Sequence, residues 1–553
     1  MKINVRKNNE IIYSLETSKQ ITIGQLSKLV EDKYPYPIYY SKLNNAYRSF
    51  KHVIKHDSDI EFLDMQNHAT SLVYQNSLIL LYIKAVHDLY GKTHKITLHN
   101  ALNKGLFTTT NFEVNEQIIN DIENKMKELV AKDILIERIE FTRQEALDFT
   151  LKNNQKETYE LLKSISSIRQ VSFFKLDDEI QCFDGNMVLS TGYIKLFKLV
   201  PYKNGIIILY PTSDDPLHLP QYINQVALYN AFALANRFHK IMDIETVTDL
   251  NNKIKNNEVK DMLLMQEALH EKNIADLASQ IVTNNKRVVL ICGPSSSGKT
   301  TFANRLIYQI KALGKKTLYL GTDDFFKERV DSPKDENGNY DFECLECLDI
   351  DLFENTLKKL ISGEQADIPT FNFISGKKEF GKRITSITND TIIVIEGIHG
   401  LNPKLTPTID NELKYKIYIS PLTSIAIDKR NRISVTDCRI LRRMLRDYRT
   451  RNYSPADTIK SWPSVRNGET KNIFPFINDA DAFFNSNLVC ELSILKKQVE
   501  PLLQSISRDE EEYGEAQRLL SFIKFFESIE DNKYVLNNSI LREFIGGSII
   551  LDE

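Results

Sequence analysis

The sequence predicts an α/β fold, in which a parallel sheet with a phosphate-binding loop follows two smaller modules. Apolar runs that end in polar or acidic residues begin at Arg287, Lys316 and Thr391, as expected of buried parallel strands. A glycine-rich motif joins the first run to a helical pattern. In the opening residues, short apolar pieces surround one helix signal, which predicts a small β-rich module.

The glycine-rich motif is a complete G-x-x-x-x-G-K-[ST] sequence between a predicted strand, 287–291, and a predicted helix, 301–313. Its glycines let successive N–H groups point at phosphate oxygens, and the helix N-terminus adds partial positive charge. We expect Lys299 to reach the β- and γ-phosphates and Thr300 to hold Mg2+. The alternative is a turn that binds nothing. The predicted nucleotide-binding residues are Gly293, Pro294, Ser295, Ser296, Ser297, Gly298, Lys299, Thr300 and Thr301.

The composition is that of an ordinary globular protein: 553 residues, 42% hydrophobic and 26% charged, enough for about three or four domains. A net charge of -3 argues against general electrostatic binding to nucleic acid, although one domain could carry a basic face. The lack of a signal-peptide pattern and of an apolar run of ~18 residues predicts a soluble cytoplasmic protein. Six scattered cysteines predict no disulfide framework, and packing explains the Cys344–Cys347 C-x-x-C better than a metal site.

The second apolar run ends in two carboxylates, Asp323 and Asp324. Ligands of open α/β sheets bind beyond the carboxyl ends of the strands, so these acids should face the phosphate-binding loop. A carboxylate beside a γ-phosphate can accept the proton of an attacking alcohol. We therefore predict that Asp323 is the catalytic base, whereas Asp324 could cap the helix that follows.

The third apolar run, 391–395, ends at Glu396. A lone acid at such a strand end is typical of a residue that orients Mg2+, directly or through water. Thr300 and Glu396 are therefore the predicted metal-binding residues. The alternative is a surface acid at the start of a loop.

Farther along the chain, arginines cluster on one predicted helix. A charge run is usually a solvated helix face. Phosphoryl transfer, however, needs cations over the developing charge, and a closing lid is a common way to bring them. On this second interpretation, Arg446 and Arg451 join Lys299 and Asp323 as catalytic residues. The arginines are Arg439, Arg442, Arg443 and Arg446 at helical spacing, with Arg449 and Arg451 beyond.

The front of the chain resembles threonyl-tRNA synthetases. Residues 1–65 have the order of a β-grasp module and resemble the TGS domain that begins those enzymes. Residues 66–225 resemble their second, α+β editing domain, most clearly at 77–90, 122–130, 137–147 and 190–199. A helical connector is predicted over 226–285, and a helical segment without chemistry over 491–553.

The resemblance implies a metal-type pocket made of two helix histidines, a loop cysteine and a loop histidine. In this chain those positions are Asn76, Leu80, Cys182 and Asn186. Leu80 can neither bind a metal nor move a proton, so we expect the editing chemistry to be lost. The domain would then be a packing and regulatory scaffold, a binding site for RNA or a small effector, or a dimerisation surface. We expect a homo-oligomer.

The motifs of residues 286–490 resemble, in order and spacing, the uridine kinase family: the phosphate-binding loop, 322–326, 339–341, 368–373, 395–399 and 445–447. The resemblance implies a P-loop kinase that transfers the γ-phosphate of ATP, with Mg2+, to the 5′-hydroxyl of a nucleoside. It assigns the base role to Asp323 and a ribose-hydroxyl contact to Asp341. Tyr340 and Phe373 would pack around the nucleobase. The resemblance also implies that Thr300 and Glu396 bind the metal and that Arg446 and Arg451 contact the phosphates.

Two departures lie in the segment that would contact the nucleobase. Phe371, counted with the substrate-binding residues, stands where the family usually has a tyrosine, and Gly376 where it has a base-contacting histidine. A pocket that loses polar partners loses discrimination, so uridine or cytidine is the leading expectation only. Two alternatives stay open: a P-loop kinase for another hydroxylated metabolite, such as a sugar phosphate or vitamin, and a nucleotide-sensing, RNA-associated regulator.

Overall fold

The structure of the protein is a computed structural model that describes residues 1–102, 104–165, 167–334, 338, 340–372, 375–423 and 425–551. The prediction for Phe373 falls outside the described residues. Within the ranges above, no helix is both long enough and apolar enough to cross a membrane. The domain boundaries stay predictions, so the four parts of the chain are described by their elements.

The first part is a mixed sheet with one short helix. Its strands are ordered β2-β1-β7-β4-β5, with β1 parallel to β7 and antiparallel to β2. Alternate residues of β1 face the core, because Ile3 and Val5 are fully buried. Thr22 and Gln25 cap the helix by reciprocal side-chain hydrogen bonds. The elements are β1 (Lys2–Lys7), β2 (Glu10–Glu16), β3 (Ile21–Thr22), α1 (Ile23–Ser27), β4 (Ile38–Leu43), β5 (Ala46–Arg48), β6 (Val53–Ile54) and β7 (Ser58–Asp64).

The second part packs two antiparallel sheets around a long buried helix. The sheets are ordered β13-β14-β9-β8 and β10-β11-β12. The helix, α2, starts before the matched stretch, because the Asn67 side chain caps it by accepting from the Thr70 N–H at 3.3 Å. The elements are α2 (His68–Tyr90), β8 (Ile96–Leu102), β9 (Gly105–Thr110), α3 (Glu116–Ala131), β10 (Ile136–Thr142), α4 (Arg143–Lys152), α5 (Lys156–Ser164), β11 (Gln170–Leu176), β12 (Glu179–Cys182), β13 (Lys198–Tyr202) and β14 (Gly205–Leu209).

The connecting region is helical, as predicted. Its helices are α6 (Val226–Ile241), α7 (Val247–Lys255) and α8 (Val259–Thr283). On the predicted apolar face of α6, Phe232 is buried while Leu228 and Phe238 are half-buried. The last helix is joined to the next part by a buried ion pair between Glu267 and Arg305, 3.1 Å long.

The third part is the predicted α/β unit. Its sheet is ordered β16-β21-β15-β22-β23, and every pairing is parallel. The three apolar runs are confirmed as β15, β16 and β21, and β15 is buried throughout because helices cover both faces. The elements are β15 (Val288–Cys292), α9 (Lys299–Ala312), β16 (Lys316–Gly321), α10 (Ile350–Ile361), β17 (Ala366–Asp367), β18 (Thr370–Asn372), β19 (Lys377–Glu379), β20 (Ile384–Thr385), β21 (Thr391–Glu396), β22 (Lys414–Ser420), α11 (Val435–Thr450), α12 (Pro455–Asn472) and β23 (Ala482–Asn485).

The last part consists of α13 (Glu491–Gln504), α14 (Tyr513–Ile523) and α15 (Arg542–Ile545). The segment is helical, as predicted, and α13 buries Leu492, Leu495, Val499 and Leu503. These residues belong to the same hydrophobic core as the helices beside the parallel sheet. The C-terminal segment is therefore packed into the α/β unit.

Candidate active site

The phosphate-binding loop follows β15. Side chains from the protein interior hold it by donating hydrogen bonds to its backbone carbonyl groups. Arg439 donates to the Ser295 carbonyl at 2.9 Å, and Arg442 to the Ser296 carbonyl at 3.4 Å. The Ser486 hydroxyl donates to the Ser297 carbonyl at 2.6 Å. With its carbonyls engaged on that side, the loop can present N–H groups to the cleft. The first-turn N–H groups of α9 add donors, because they lack intrahelical acceptors.

The loop has the features that a nucleotide phosphate requires. A Cβ on Gly293 would lie 2.2 Å from the Ile419 carbonyl oxygen, so only glycine lets the chain pass there. Gly298 has a φ of +85°, a conformation that other residues rarely adopt. The hydroxyls of Ser296 and Ser297 are buried and have no hydrogen-bond partner among the described residues. Unpaired buried donors of this kind fit a phosphate ligand.

The predicted metal-binding residues lie together. The Thr300 hydroxyl donates to Glu396 at 3.3 Å, and the Tyr319 hydroxyl donates to the same carboxylate oxygen at 3.1 Å. Lys299 Nζ lies 3.9 Å from the other oxygen of Glu396 and 3.4 Å from the Pro294 carbonyl. Burial raises the pKa of Glu396 above its ordinary range, and Lys299 opposes the rise. A hydroxyl and a carboxylate beside a phosphate loop are donors that suit Mg2+.

Asp323 lies at the carboxyl end of β16, in a 3-10 turn over Thr322–Phe325. Its carboxylate opens onto the cleft, while the surrounding protein desolvates it and raises its pKa above the ordinary range. The positive charges of Lys299, Arg451 and Arg446 oppose that rise. The predicted base therefore lies within electrostatic range of the loop lysine and of both predicted catalytic arginines.

Asp324 has a different role from the cap that the sequence allowed. Its carboxylate forms a 2.6 Å ion pair with Arg383, whose guanidinium also donates to the Tyr319 carbonyl at 3.2 Å. The neighbouring acid thus ties the end of β16 to the loop before β20, which leaves Asp323 as the acid facing the site.

The arginine helix, α11, is not the solvated face that such a charge run usually indicates. Arg439 and Arg442 are buried, and each forms an ion pair with a buried carboxylate, Glu469 for the first and Glu491 for the second. Glu469 also accepts from the Ser295 N–H at 3.2 Å. These two arginines support the phosphate-binding loop from the protein interior.

The outer arginines of α11 converge on one buried acid, Asp447. Its carboxylate lies 3.1 Å from Arg443, 2.9 Å from Arg446 and 3.4 Å from Arg451. Arg443 also donates to the Ser295 hydroxyl at 2.8 Å. Asp447 therefore gathers three cations beside the loop, where Arg446 and Arg451 could stabilise transferred charge.

The predicted acceptor residues lie along a row of aromatic rings. Tyr340 lies 5.8 Å from Phe342, and Phe326 lies 6.3 Å from Phe342 and 5.7 Å from Phe371, centroid to centroid. Tyr340 and Phe342 are exposed, whereas Phe371 is buried in the core below them. Asp341 accepts from the Glu343 N–H at 3.0 Å. The exposed end of the row is therefore Tyr340 and Phe342, and Phe371 supports it from the core.

A basic side chain fills the position of the histidine that the resemblance implies. Gly376 has a φ of +68°, and a Cβ on it would lie 2.8 Å from the Arg329 side chain. The Arg329 N–H donates to the Gly376 carbonyl at 2.9 Å. The space beside this glycine thus holds an arginine side chain.

Besides Glu469 and Glu491, the sequence analysis missed two further acids near the site. Burial and the charge of Glu469 raise the pKa of Glu343 to about 7, and Asp323 and Lys299 also act on it. The sequence signal for Glu343 was its position two residues after Asp341, in the predicted acceptor segment. Glu543 lies in the C-terminal segment and accepts from the Thr301 hydroxyl at 2.8 Å. Local sequence gave no signal for that contact.

The positions of the implied editing pocket carry hydrogen bonds and packing. Asn76 donates to the Asp184 carbonyl at 2.8 Å, and Leu80 is fully buried. Arg138 donates to the Asn186 side chain at 3.0 Å. Burial raises the pKa of the Cys182 thiol far above its ordinary range, so the thiol stays protonated.

Comparison with known proteins gives different matches for different stretches of the chain. The family model described as Phosphoribulokinase / Uridine kinase family matches residues 288–492. The threonine–tRNA ligase of Fusobacterium nucleatum is 29% identical over 163 residues, which are 29% of this chain and 26% of that protein. That of Caldanaerobacter subterraneus is 25% identical over 194 residues, 34% of this chain and 29% of that protein. The chain thus covers less than a third of these curated relatives.

Solved kinase structures are similar to parts of the chain. A possible uridine kinase from Bacillus stearothermophilus shares 23% identity and covers 27% of this chain and 79% of its own, with a TM-score of 0.23. A D-glycerate 3-kinase from Cryptococcus neoformans shares 14% identity and covers 45% of this chain and 87% of its own, with a TM-score of 0.22.

The loop, the parallel sheet and the family match agree on the nature of the α/β unit, which is a P-loop kinase. The N-terminal region matches threonine–tRNA ligases. Residues 288–492 therefore form a domain of the phosphoribulokinase/uridine kinase family.

Proposed function

We propose that the kinase domain transfers the γ-phosphate of ATP to the 5′-hydroxyl of a nucleoside, with uridine and cytidine as the leading substrates. The position of Asp323 carries the proposal. It is a carboxylate that opens onto the cleft within electrostatic range of Lys299, Arg446 and Arg451. A regulator that only senses nucleotide needs no proton acceptor at this place.

Each residue then has a task in an in-line transfer. Asp323 accepts the proton of the attacking hydroxyl, and its raised pKa improves that match near neutral pH. Lys299 and the loop N–H groups orient the phosphates, while Thr300 and Glu396 would hold Mg2+. Bound ATP would supply the phosphoryl group, and Mg2+ would supply positive charge that offsets the negative charge of the transferred phosphoryl oxygens. Arg446 and Arg451 stabilise the charge on the transferred oxygens.

The aromatic row supports a flat acceptor. Tyr340 and Phe342 expose ring surface beside Asp341, and a nucleobase packs well on such rings. Asp341 could accept a hydrogen bond from a ribose hydroxyl. The combination of ring surface and acceptor suits a nucleoside.

Arg329 favours a second candidate, a kinase whose hydroxylated acceptor already carries a phosphate or carboxylate. Its side chain lies beside Gly376, the position of the base-contacting histidine that the resemblance implies. A positive charge at that position attracts an anionic group. A sugar phosphate is the simplest acceptor of this type.

A panel of acceptors distinguishes the two candidates. The full chain is incubated with Mg-ATP and each of uridine, cytidine, adenosine, guanosine and several sugar phosphates, and the phosphorylated products are measured. Nucleoside monophosphate from uridine or cytidine is the expected result. Turnover of a sugar phosphate alone would favour the second candidate, and no turnover of either class would contradict both.

We also propose that the front half binds a small anionic effector rather than RNA. A cavity of about 580 Å3 lies where the first two parts of the chain meet the loop before α11 and helix α14. Such a volume suits a small molecule. Arg430 and Arg508 form no ion pair with any residue that the structure describes. The charged lining residues are Arg48, Arg138, Arg430, Arg432, Arg508, Arg518 and Lys524, against Glu140, Asp184 and Asp437.

Thermal denaturation with pyrophosphate tests this second proposal. A Lys299→Ala background removes binding at the phosphate loop, and Arg430→Ala removes one cavity cation. Lys429→Ala is the matched control, because Lys429 lies outside the cavity lining and pairs with Glu157. We expect pyrophosphate to raise the melting temperature of the Lys299→Ala variant, with or without Lys429→Ala. It should not raise that of the Lys299→Ala, Arg430→Ala double variant. Binding of a short single-stranded RNA in place of pyrophosphate would overturn the effector proposal.

The predicted homo-oligomer is a separate question, which light scattering of the full chain would test.

A further inference from the structure

The C-terminal segment reaches the phosphate-binding loop. Glu543, in α15, is buried, and its Oε2 accepts from the Thr301 hydroxyl at 2.8 Å and from the Thr301 N–H at 3.4 Å. Thr301 is fully buried, lies in the first turn of α9 and is the last of the predicted nucleotide-binding residues. A carboxylate from 242 positions away thus engages the start of this helix.

The donors that Glu543 uses are donors that a nucleotide requires. The first N–H groups of a helix have no intrahelical acceptor, and in a phosphate-binding loop they bind phosphate oxygens. One N–H and one hydroxyl cannot serve a carboxylate and a phosphate in the same place. We infer that residues 532–551, the C-terminal strap, are an autoinhibitory device in which Glu543 occupies a nucleotide-phosphate position.

A second contact places the strap over the loop itself. A Cβ on Gly298 would lie 2.3 Å from Ile540 Cγ2, so the Ile540 side chain rests directly on the second glycine of the motif. Ile540 is buried there. The strap therefore covers both the last glycine of the loop and the first turn of the helix, and a bound phosphate must displace at least one of these contacts.

The charges around Glu543 favour its displacement by a nucleotide. Arg442 is the nearby cation, but its guanidinium is engaged by Glu491, with one contact at 2.5 Å. Glu396 is a second carboxylate within electrostatic range. Among the described residues Glu543 forms no ion pair and has like charge nearby, whereas Lys299 and Mg2+ would accompany a nucleotide.

The strap also contacts two arginines of α11 that lie behind the phosphate-binding loop. The Phe544 ring is buried 4.9 Å from the Arg442 guanidinium, and Arg449 donates to the Phe544 carbonyl at 3.0 Å. These contacts hold the strap against the loop independently of Glu543. A modest movement of α15, which has only four residues, would free Thr301.

Binding of ADP, measured by calorimetry, tests the inference. It rests on the proposed nucleotide site but not on the acceptor, so it is independent of turnover. Glu543→Gln keeps the shape and removes the charge, and Glu543→Ala removes the contact. Glu530→Gln is the matched control, because Glu530 is exposed near the strap and pairs with Lys497. We expect both Glu543 variants to bind ADP at least about fivefold more tightly than wild type and the control.

The outcomes separate the strap from the nucleotide site. Unchanged or weaker ADP binding by both Glu543 variants, with a lowered melting temperature, would overturn the inference and make Glu543 a permanent helix cap. Failure of every protein to bind ADP would contradict the nucleotide site and the strap together. A second measurement is amide hydrogen exchange of 536–551, which should become faster when ADP binds. Slower or unchanged exchange would also overturn the inference.

Discussion

Replacing Arg442 by Met should destabilise the kinase domain strongly. Arg442 and Glu491 are fully buried and paired, and Arg442 also donates to the Ser486 carbonyl at 3.0 Å and to the Ser296 carbonyl at 3.4 Å. Removing one partner leaves the other charge buried and unpaired, which costs about 3–5 kcal/mol. The loop loses the donor that holds Ser296, so nucleotide affinity should fall as well.

Urea denaturation followed by circular dichroism measures the loss. Arg237→Met, which removes an exposed arginine of α6, is the control and should change the free energy of unfolding by less than about 0.5 kcal/mol. The double variant Arg442→Met, Glu491→Leu should recover much of the loss, because an apolar pair needs no charge compensation. A loss below about 1 kcal/mol in the single variant would refute the role given to this buried pair.

Three further predictions follow from the site. Gly293→Ala should cost about 1–3 kcal/mol in unfolding free energy and abolish ADP binding, because its Cβ would lie 2.2 Å from a carbonyl oxygen of β22; normal calorimetric ADP binding would contradict this. Tyr319→Phe removes the hydrogen bond to Glu396 and should raise the Mg2+ concentration needed for half-maximal turnover about tenfold, measured by metal titration. An unchanged titration would count against the metal site. The pKa of Glu343 is raised from 4.5 to about 7, so the stability that its protonation provides is complete below about 4.5 and is lost as pH rises through about 7. Glu343→Gln should therefore raise the melting temperature relative to wild type at pH 8 but not at pH 4.5. The corresponding gain in the free energy of unfolding is at most about 3 kcal/mol. An equal difference at both pH values would contradict this prediction.

The sequence was sufficient wherever neighbouring residues decide the structure. The strand β15, the loop after it and the helix α9 follow from apolar periodicity and glycine spacing. Glu396 and Asp323 were found because parallel strands bring their carboxyl ends to one edge. Such signals are local, so they survive without knowledge of partners.

Contacts between distant residues could not be found in this way. The arginines of α11 are buried because their carboxylate partners, Glu469 and Glu491, lie 30 and 49 positions farther along the chain. Asp324 pairs with Arg383, 59 positions away, instead of capping a helix. A charge run shows spacing but not which side chains will be paired, and pairing decides whether arginines face solvent or the core.

The contact between Glu543 and Thr301 is the most distant example, and it changes the meaning of a segment that showed no chemistry in the sequence. Apolar spacing in 491–553 predicted helices that pack, and they do. The same packing brings an acid to the phosphate-binding loop, a result that depends on the path of the whole chain.

The turnover of Asp323→Asn tests the central claim most directly. Asp324→Asn is the matched control, because Asp324 is the next residue and is paired with Arg383 at 2.6 Å. Both variants and wild type are assayed for phosphorylation of the acceptor identified by the panel, and ADP binding confirms an intact site. Loss of the proton acceptor should lower kcat by about 10²–10⁴-fold in Asp323→Asn, with ADP affinity retained and a far smaller effect in the control. Equal turnover by Asp323→Asn and wild type would contradict the assignment of Asp323 as the catalytic base.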